Sequence, residues 1–216
     1  MKIICDFDGT VAANDVGSLL FRTFGDESCK EFVELWKQGE ISSKQCLIEE
    51  CRVTRVTKQE LTRFADSQEL DPYFKEFVQF CHGRGFDIEI VSDGLDFYIN
   101  RILKNHGLDS SIEVRSNELT FKNEHRVKPQ FPYFEHSCGQ CANCKGHHVR
   151  QAKKCHSKVI YVGDGLSDRC GAQEADTVFA KRGRDLLEFC KQENIPHFEF
   201  ENFGDVLNQL RHLKLY

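Results

Sequence analysis

No stretch of about 18 consecutive apolar residues occurs in this chain, so it offers no membrane-spanning helix. Proline is held to four residues in 216, and no repeat or low-complexity tract recurs, which excludes a linker-like or repeat architecture. A basic face is missing too. Lys and Arg number 29 against 34 Asp and Glu, for a net charge of −5, and the basic residues are scattered, which argues against a nucleic-acid partner. The first residues already read as a strand, leaving no room for a signal peptide. Cysteine, by contrast, is abundant: eleven residues, an odd number with no secretory leader, pointing to a reducing cytoplasm. Cys5, Cys81 and Cys170 fall on apolar-patterned elements and read as small buried hydrophobes.

What is present begins at the N-terminus, where Met1-Lys-Ile-Ile-Cys-Asp6-Phe-Asp8-Gly9-Thr10-Val11 sets two carboxylates at the end of an apolar run. Successive strand side chains point to opposite faces. Asp6 and Asp8 can share a direction only at the C-terminal tip, where open α/β sheets bind ligands. Neighbouring carboxylates repel unless a proton or a divalent cation intervenes, and Mg²⁺ suits oxygen ligands. Lys158-Val-Ile-Tyr-Val-Gly163-Asp164-Gly165-Leu-Ser-Asp168 repeats the pattern, and Phe86 to Gly94 is a third strand ending in Ser92-Asp93-Gly94. Three strands thus deliver two acid pairs and a hydroxyl to one sheet edge.

Between the first two strands the pattern turns helical. Phe32, Val33, Leu35 and Trp36 mark one helix closed by Gly39, Ser42 caps a second, and Thr57 to Glu60 is a capping box. Asp71-Pro72 reads as the N-cap and first position of a fourth helix. The expectation is a helical cap at residues 14–81 over a core of 1–13 and 82–216, able to close over the site. From Gly94 a helix runs to His106-Gly107. Residues 112–115 and 118–121 then suggest a hairpin turning at Ser116-Asn117. Helices at 146–154, 184–193 and 203–213, the last capped by Asn202 and burying Leu213, alternate with strands at 159–162, 177–180 and 197–200. The fold class is α/β: a Rossmann-like, doubly wound parallel sheet with an inserted helical cap.

At such a site Asp6 is a nucleophile candidate and Asp8 an acid and base. Asp164 completes a metal shell of Asp6, Asp8 and Asp164, with Asp168 orienting it from behind. The Ser92 hydroxyl and the backbone N–H groups around Asp93 and Gly94, at a helix N-terminus, are suited to hold the oxygens of an anionic substrate such as a phosphate. Lys145 is preferred to Lys128, Lys153, Lys154 and Lys158 as the charge-neutralising lysine, because it opens the helix preceding the Asp164 strand.

Asp6-Phe-Asp8-Gly-Thr10-Val11, Ser92-Asp-Gly94, Lys145 and Gly163-Asp164-Gly165-Leu-Ser-Asp168 together resemble the haloacid dehalogenase superfamily of phosphatases. The resemblance implies a Rossmann-like core, Mg²⁺ and an aspartyl-phosphate mechanism on a small phosphomonoester, with Asp8 favouring phosphatase or phosphomutase chemistry. The helical insertion is similar to that of phosphoserine phosphatases, although Ser92-Asp93-Gly94 stands where those have Ser-Gly-Gly. Cys-x-x-Cys-Lys with Val91 to Phe97 resembles the subfamily of methionine-salvage phosphatases acting on 2-hydroxy-3-keto-5-methylthiopentenyl-1-phosphate. Phosphocholine and phosphoethanolamine phosphatases are similar in the same segments. A non-catalytic metabolite-binding protein on this fold is the alternative of another class.

Cys138, Cys141 and Cys144 lie at three-residue spacing among His136, His147 and His148. Such spacing suits tetrahedral Zn²⁺ with one histidine as fourth ligand. The plainer reading is three reduced thiols packed on the core, since a structural zinc site usually shows two paired half-motifs.

Overall fold

The computed structural model describes residues 1–212. Seven strands form one sheet in the order β4-β3-β2-β1-β5-β6-β7. They are β1 (Lys2–Cys5), β2 (Asp87–Leu95), β3 (Glu113–Asn123), β4 (Arg126–Gln130), β5 (Val159–Gly163), β6 (Thr177–Lys181) and β7 (His197–Phe200). All neighbours are parallel except β3 and β4. β1 lies centrally, with Ile3 beside Ile88 on one flank and Ile160 on the other. Both faces of these strands are covered, so their sequences read as apolar runs rather than alternations. Ile3, Cys5, Ile88, Ile90, Ile160 and Val162 join the larger core on one face. Ile4, Val159, Tyr161 and Val178 join a smaller one on the other.

The chain winds outward from β1 through β2 and β3, then returns to β5 on the opposite side. That reversal makes the tips of β1 and β5 the switch point at which such sheets bind ligands. The ten helices among the described residues are α1 (Val16–Phe24), α2 (Ser28–Lys37), α3 (Ser43–Val53), α4 (Lys58–Asp66), α5 (Phe74–Gly83), α6 (Asp96–Asn105), α7 (Lys145–Ala152), α8 (Arg169–Glu174), α9 (Asp185–Gln192) and α10 (Phe203–His212). The sequence pattern overlooks α1, whose start is capped by Asp15 accepting from Ser18 N at 2.8 Å. The caps read at Ser42 and Thr57 are both complete capping boxes. Asn202 Oδ1 accepts from Gly204 N at 2.9 Å; the expected burial of Leu213 falls outside the described residues.

Three boundaries differ from expectation. Ser116-Asn117 is no turn, because β3 runs unbroken from Glu113 to Asn123 and the hairpin closes later onto β4. Asn117 is instead buried, its side-chain amide donating to the Asp93 carbonyl at 2.7 Å. β2 continues to Leu95, so α6 opens two residues beyond Gly94. Asp71 does not abut its helix either. Its carboxylate accepts from Tyr73 N at 2.9 Å and Phe203 N at 3.2 Å, and α5 begins at Phe74. Phe203 meets Phe74 and Phe77 with ring centroids 4.8 Å from each, so this carboxylate pins α5 and α10 together.

The chain leaves and re-enters the core at adjacent points. Ala12 bridges Leu70, Ala13 N donates to Glu69 O, and Asp71 N donates to Val11 O. Helices α1 to α4 lie between these points. α3 packs on β4 and α4 on α6, whereas α5 packs on β2 and α10.

Candidate active site

Beyond β1, residues 7–11 coil so tightly that Ala12 N donates back to Phe7 O at 2.8 Å. Gly9 takes φ +73°, and a Cβ there would stand 2.5 Å from Asp164 Oδ2. Glycine is required both by backbone sign and by the approach of the β5 loop. Lys181 Nζ donates to the Gly9 carbonyl at 2.6 Å, fixing the turn.

This geometry brings Asp6, Asp164, Asp168 and Lys145 together. Lys145 Nζ lies 2.7 Å from Asp6 Oδ1, 2.5 Å from Asp168 Oδ1 and 2.8 Å from Ser167 Oγ. Lys145 is fully enclosed, at 1% exposure. Burial pulls its pKa down, but Asp168 and then Asp6 more than offset this and hold it protonated. Asp168 also accepts from Tyr161 OH at 2.6 Å and from the backbone N–H groups of Asp164 and Gly165 at 2.8 Å each. It is therefore a saturated anchor that aims Lys145 and the β5 loop.

Asp6, Asp164 and Asp168 set carboxylate oxygens within 4.8 Å of one another. One ammonium faces three carboxylates, so negative charge is in excess. Burial, then repulsion from Asp168, pushes Asp6 well above the usual carboxylate range and Asp164 up to about 7. Asp168 is already committed to four donors, so Asp6 and Asp164 are the groups placed to accept a cation. Hard oxygen donors with surplus charge fit Mg²⁺.

Asp8 is turned elsewhere. Its carboxylate accepts from Tyr98 OH at 2.7 Å and from Gly17 N, in the first turn of α1, at 3.0 Å; Ser92 Oγ stands 3.4 Å away. It lies outside the group formed by the other three acids. Burial, then Asp15, raises its pKa to about 7. Ser92 Oγ accepts from Gly94 N at 2.9 Å. A Cβ at Gly94 would fall 2.0 Å from Tyr98 OH and 2.5 Å from Asp8 Oδ2, so this glycine makes room for the Asp8 pocket. Asp93 lines the same cavity with its carboxylate already engaged: it accepts from Ser43 Oγ of α3 at 2.7 Å and Asn143 N at 2.6 Å.

These residues floor a cavity of about 370 Å³, roofed by Phe21, Val33, Trp36, Cys46, Leu47 and Glu50. Glu50 is mostly buried, and burial raises its pKa to about 8. Arg184 reaches the rim, 3.9 Å from Asp164 Oδ2.

Sequence reasoning missed Tyr98, Thr10, Tyr161 and Arg184 in this setting. Thr10, which donates to Asp164 Oδ1 at 3.1 Å, stands inside the first motif; Arg184 carries no local signal. The cysteine loop also differs from expectation. The fourth group beside Cys138, Cys141 and Cys144 is Cys170 of α8, read from the sequence as a packing residue. The histidines lie apart: His136 stacks on His147 at 4.9 Å, and His148 Nε2 meets Asn143 Oδ1 at 2.6 Å.

The family described as "Putative Phosphatase" matches residues 1–202. A 2-hydroxy-3-keto-5-methylthiopentenyl-1-phosphate phosphatase of Bacillus cereus (strain G9842) is 29% identical over 216 residues, covering 99% of this chain and 97% of that one. Its counterpart in Bacillus thuringiensis subsp. konkukian (strain 97-27) is 28% identical with the same coverage. Among solved structures, a phospho-aspartyl intermediate analogue of phosphoserine phosphatase aligns with TM-score 0.74 at 20% identity, covering 96% of this chain and 97% of that one. A phosphoserine phosphohydrolase-like protein from Francisella tularensis aligns with TM-score 0.70 at 21% identity, covering 97% and 99%; at these identities the likeness speaks to the fold. With its motifs on the tips of β1, β2 and β5, the chain belongs to this phosphatase family of the haloacid dehalogenase superfamily.

Proposed function

We propose that the chain hydrolyses a small phosphomonoester with Mg²⁺ through an aspartyl phosphate on Asp6. The observation that carries this reading is the contrast between two acids two residues apart. Asp6 lies against an ammonium and beside Asp164, whereas Asp8 stands outside that group, accepting from Tyr98 OH and Gly17 N. Environments that push paired carboxylates into different roles mark nucleophile and acid–base assignments. Asp6 and Asp164 would hold Mg²⁺, which would set positive charge against the phosphate oxygens.

In the first half-reaction an Asp6 carboxylate oxygen bonds to phosphorus and the bond to the substrate oxygen breaks. Asp8 gives its proton to the departing alkoxide. In the second, Asp8 takes a proton from water as that water attacks phosphorus, releasing inorganic phosphate and restoring Asp6. Lys145 offsets charge on Asp6 and the transferring phosphate, and Ser92 offers a hydroxyl to a phosphate oxygen.

The insertion acts as a cap, and the adjacency of residues 11–13 to 69–71 supports ending it near residue 70, leaving α5 with the core. Its share of the cavity lining is mixed: Phe21, Val33, Trp36 and Leu47 stand beside Asp15, Lys37, Ser43 and Glu50, and burial raises the pKa of Glu50 to about 8. An uncharged, partly apolar body such as that of 2-hydroxy-3-keto-5-methylthiopentenyl-1-phosphate, the substrate in the names of the Bacillus relatives, fits such a roof. A second reading draws on Glu50 and Trp36 lining the same cavity: a bound trimethylammonium group, as in phosphocholine, would favour the ionised form of Glu50 and suit the aromatic face. Eleven unpaired thiols suit a reducing compartment, the cytoplasm.

The test is phosphate release with Mg²⁺ from four substrates: the methylthiopentenyl phosphate, phosphocholine, phosphoethanolamine and phosphoserine. Preference for the first supports the reading; preference for phosphocholine supports the second. Turnover that survives in Asp6→Asn would remove the aspartyl-phosphate mechanism, and binding without turnover in wild type would favour a metabolite-binding protein.

A further inference from the structure

Cys138, Cys141, Cys144 and Cys170 bring four Sγ atoms within 4.8 Å of one another, with Cys138 and Cys141 3.5 Å apart. All four are unpaired thiols. Three come from the loop before α7 and the fourth from the second residue of α8. Buried packing does not account for the grouping, since Cys138 is exposed and Cys141 and Cys170 are only partly buried, yet all four sulfurs converge. Thiolates about 2.3 Å from a tetrahedral centre stand about 3.8 Å from each other, within the 4.8 Å that bounds this cluster.

We propose that these four cysteines bind one Zn²⁺ in a closed structural site. Zinc accepts four sulfurs tetrahedrally and asks for no redox partner. Sulfurs this close leave room for one central ion, not for a multi-iron cluster with bridging sulfides. Each Zn–S bond forms as a thiol releases its proton to solvent, with no electron transferred. Four protein ligands leave no open position, so the ion takes no part in the chemistry of the acids.

The place of the site in the fold gives it a task. Cys144 directly precedes Lys145, and Cys170 follows Asp168 by two residues, so the ion ties together the two segments that supply the buried ion pair. Gly146 packs so closely on Cys170 that a Cβ would stand 2.7 Å from its carbonyl oxygen. The same loop receives the insertion: Ser43 N donates to Gln140 O at 2.9 Å, and Ala142 N donates to Ser43 Oγ at 2.7 Å. Zinc would therefore fix both Lys145 and the docking of α3. The effect on turnover rests on the catalytic reading of Lys145; the metal site does not.

The test is elemental analysis of the full chain purified under reducing conditions, paired with absorption spectra after Co²⁺ replacement. One zinc per chain is expected, with thiolate-to-cobalt charge transfer and tetrahedral ligand-field bands in the Co²⁺ form. Cys170→Ser and the exposed Cys138→Ser should each lose most of the zinc, change the cobalt spectrum and melt several degrees lower. Cys138→Ser keeps the test valid if Cys170→Ser fails to fold. Asp6→Asn should keep its full zinc content, so loss of activity there bears only on the catalytic reading. Wild type without zinc and without cobalt–thiolate absorption, a single bound iron in its place, or a Cys138–Cys141 disulfide under these conditions would each overturn the proposal.

Discussion

At the floor of the cavity the motif acids have fixed company: Asp168, behind it, holds Lys145, Lys145 holds Asp6, Thr10 holds Asp164, and Tyr98 holds Asp8. Across from it, the roof sets apolar side chains beside a few polar ones, among them Lys37 and Glu50, the latter meeting the weak thiol of Cys46 at 3.7 Å. The floor is preorganised toward charge that develops during reaction, which is where electrostatic stabilisation is largest. The roof discriminates by shape, apolar area and a few charged or titratable groups, each worth a factor of about ten to a few hundred at most. Floor substitutions should therefore act on turnover and roof substitutions on substrate preference.

The hardest blow to the floor is Asp6→Asn, expected to cut kcat by about 10⁴-fold or more, as removal of a covalent nucleophile does. Steady-state phosphate release on the best substrate checks it, with circular dichroism showing the fold intact. Lys145→Ala should follow, lowering kcat by about 10²–10³-fold. It should also destabilise the protein by about 3–5 kcal/mol, because it strands buried carboxylates without their cation. Urea unfolding separates that loss from the kinetic one.

Asp8→Asn sharpens the contrast, since it should cost activity yet add stability. With a folded-state pKa near 7 against an ordinary value of 3.8, Asp8 supports the fold fully below about pH 4 and loses that support as pH rises to about 7. Asparagine cannot ionise, so the variant should gain on the order of a few kcal/mol over wild type at pH 8 and little at pH 4. Thermal melts at the two pH values decide this. In wild type the first half-reaction should weaken as pH climbs through about 7 and Asp8 gives up the proton it must donate.

On the roof, Glu50→Gln should leave kcat on an uncharged phosphomonoester unchanged and move KM by less than about threefold. For phosphocholine it should raise KM by about tenfold, the equivalent of 1.4 kcal/mol. A large fall in kcat on every substrate would break the division between floor and roof.

The acids were legible because each motif ends a buried strand, and parallel pairing sets β1, β2 and β5 side by side with their tips level. Lys145 was legible for a related reason, as the first residue of the helix leading into β5. Tyr98 was not, because its use depends on Gly94 leaving space between two elements. Ser116-Asn117 misled because turn-forming residues on a continuous strand look like a turn when their pairing partner, the later β4, cannot be seen.

Local sequence by itself determined the alternation of strands and helices apart from α1 and the β3–β4 hairpin, the capping boxes at Ser42 and Thr57, and the identity of the acids, since each follows from chemistry within a few neighbouring residues. Tertiary structure alone decided that Asp8 faces α1 and Tyr98 rather than the acid cluster, that Asp93 braces the insertion, and that Cys170 completes the sulfur group. Those outcomes depend on contacts between segments far apart in the chain, where direction and distance are fixed by packing and leave no trace in local pattern.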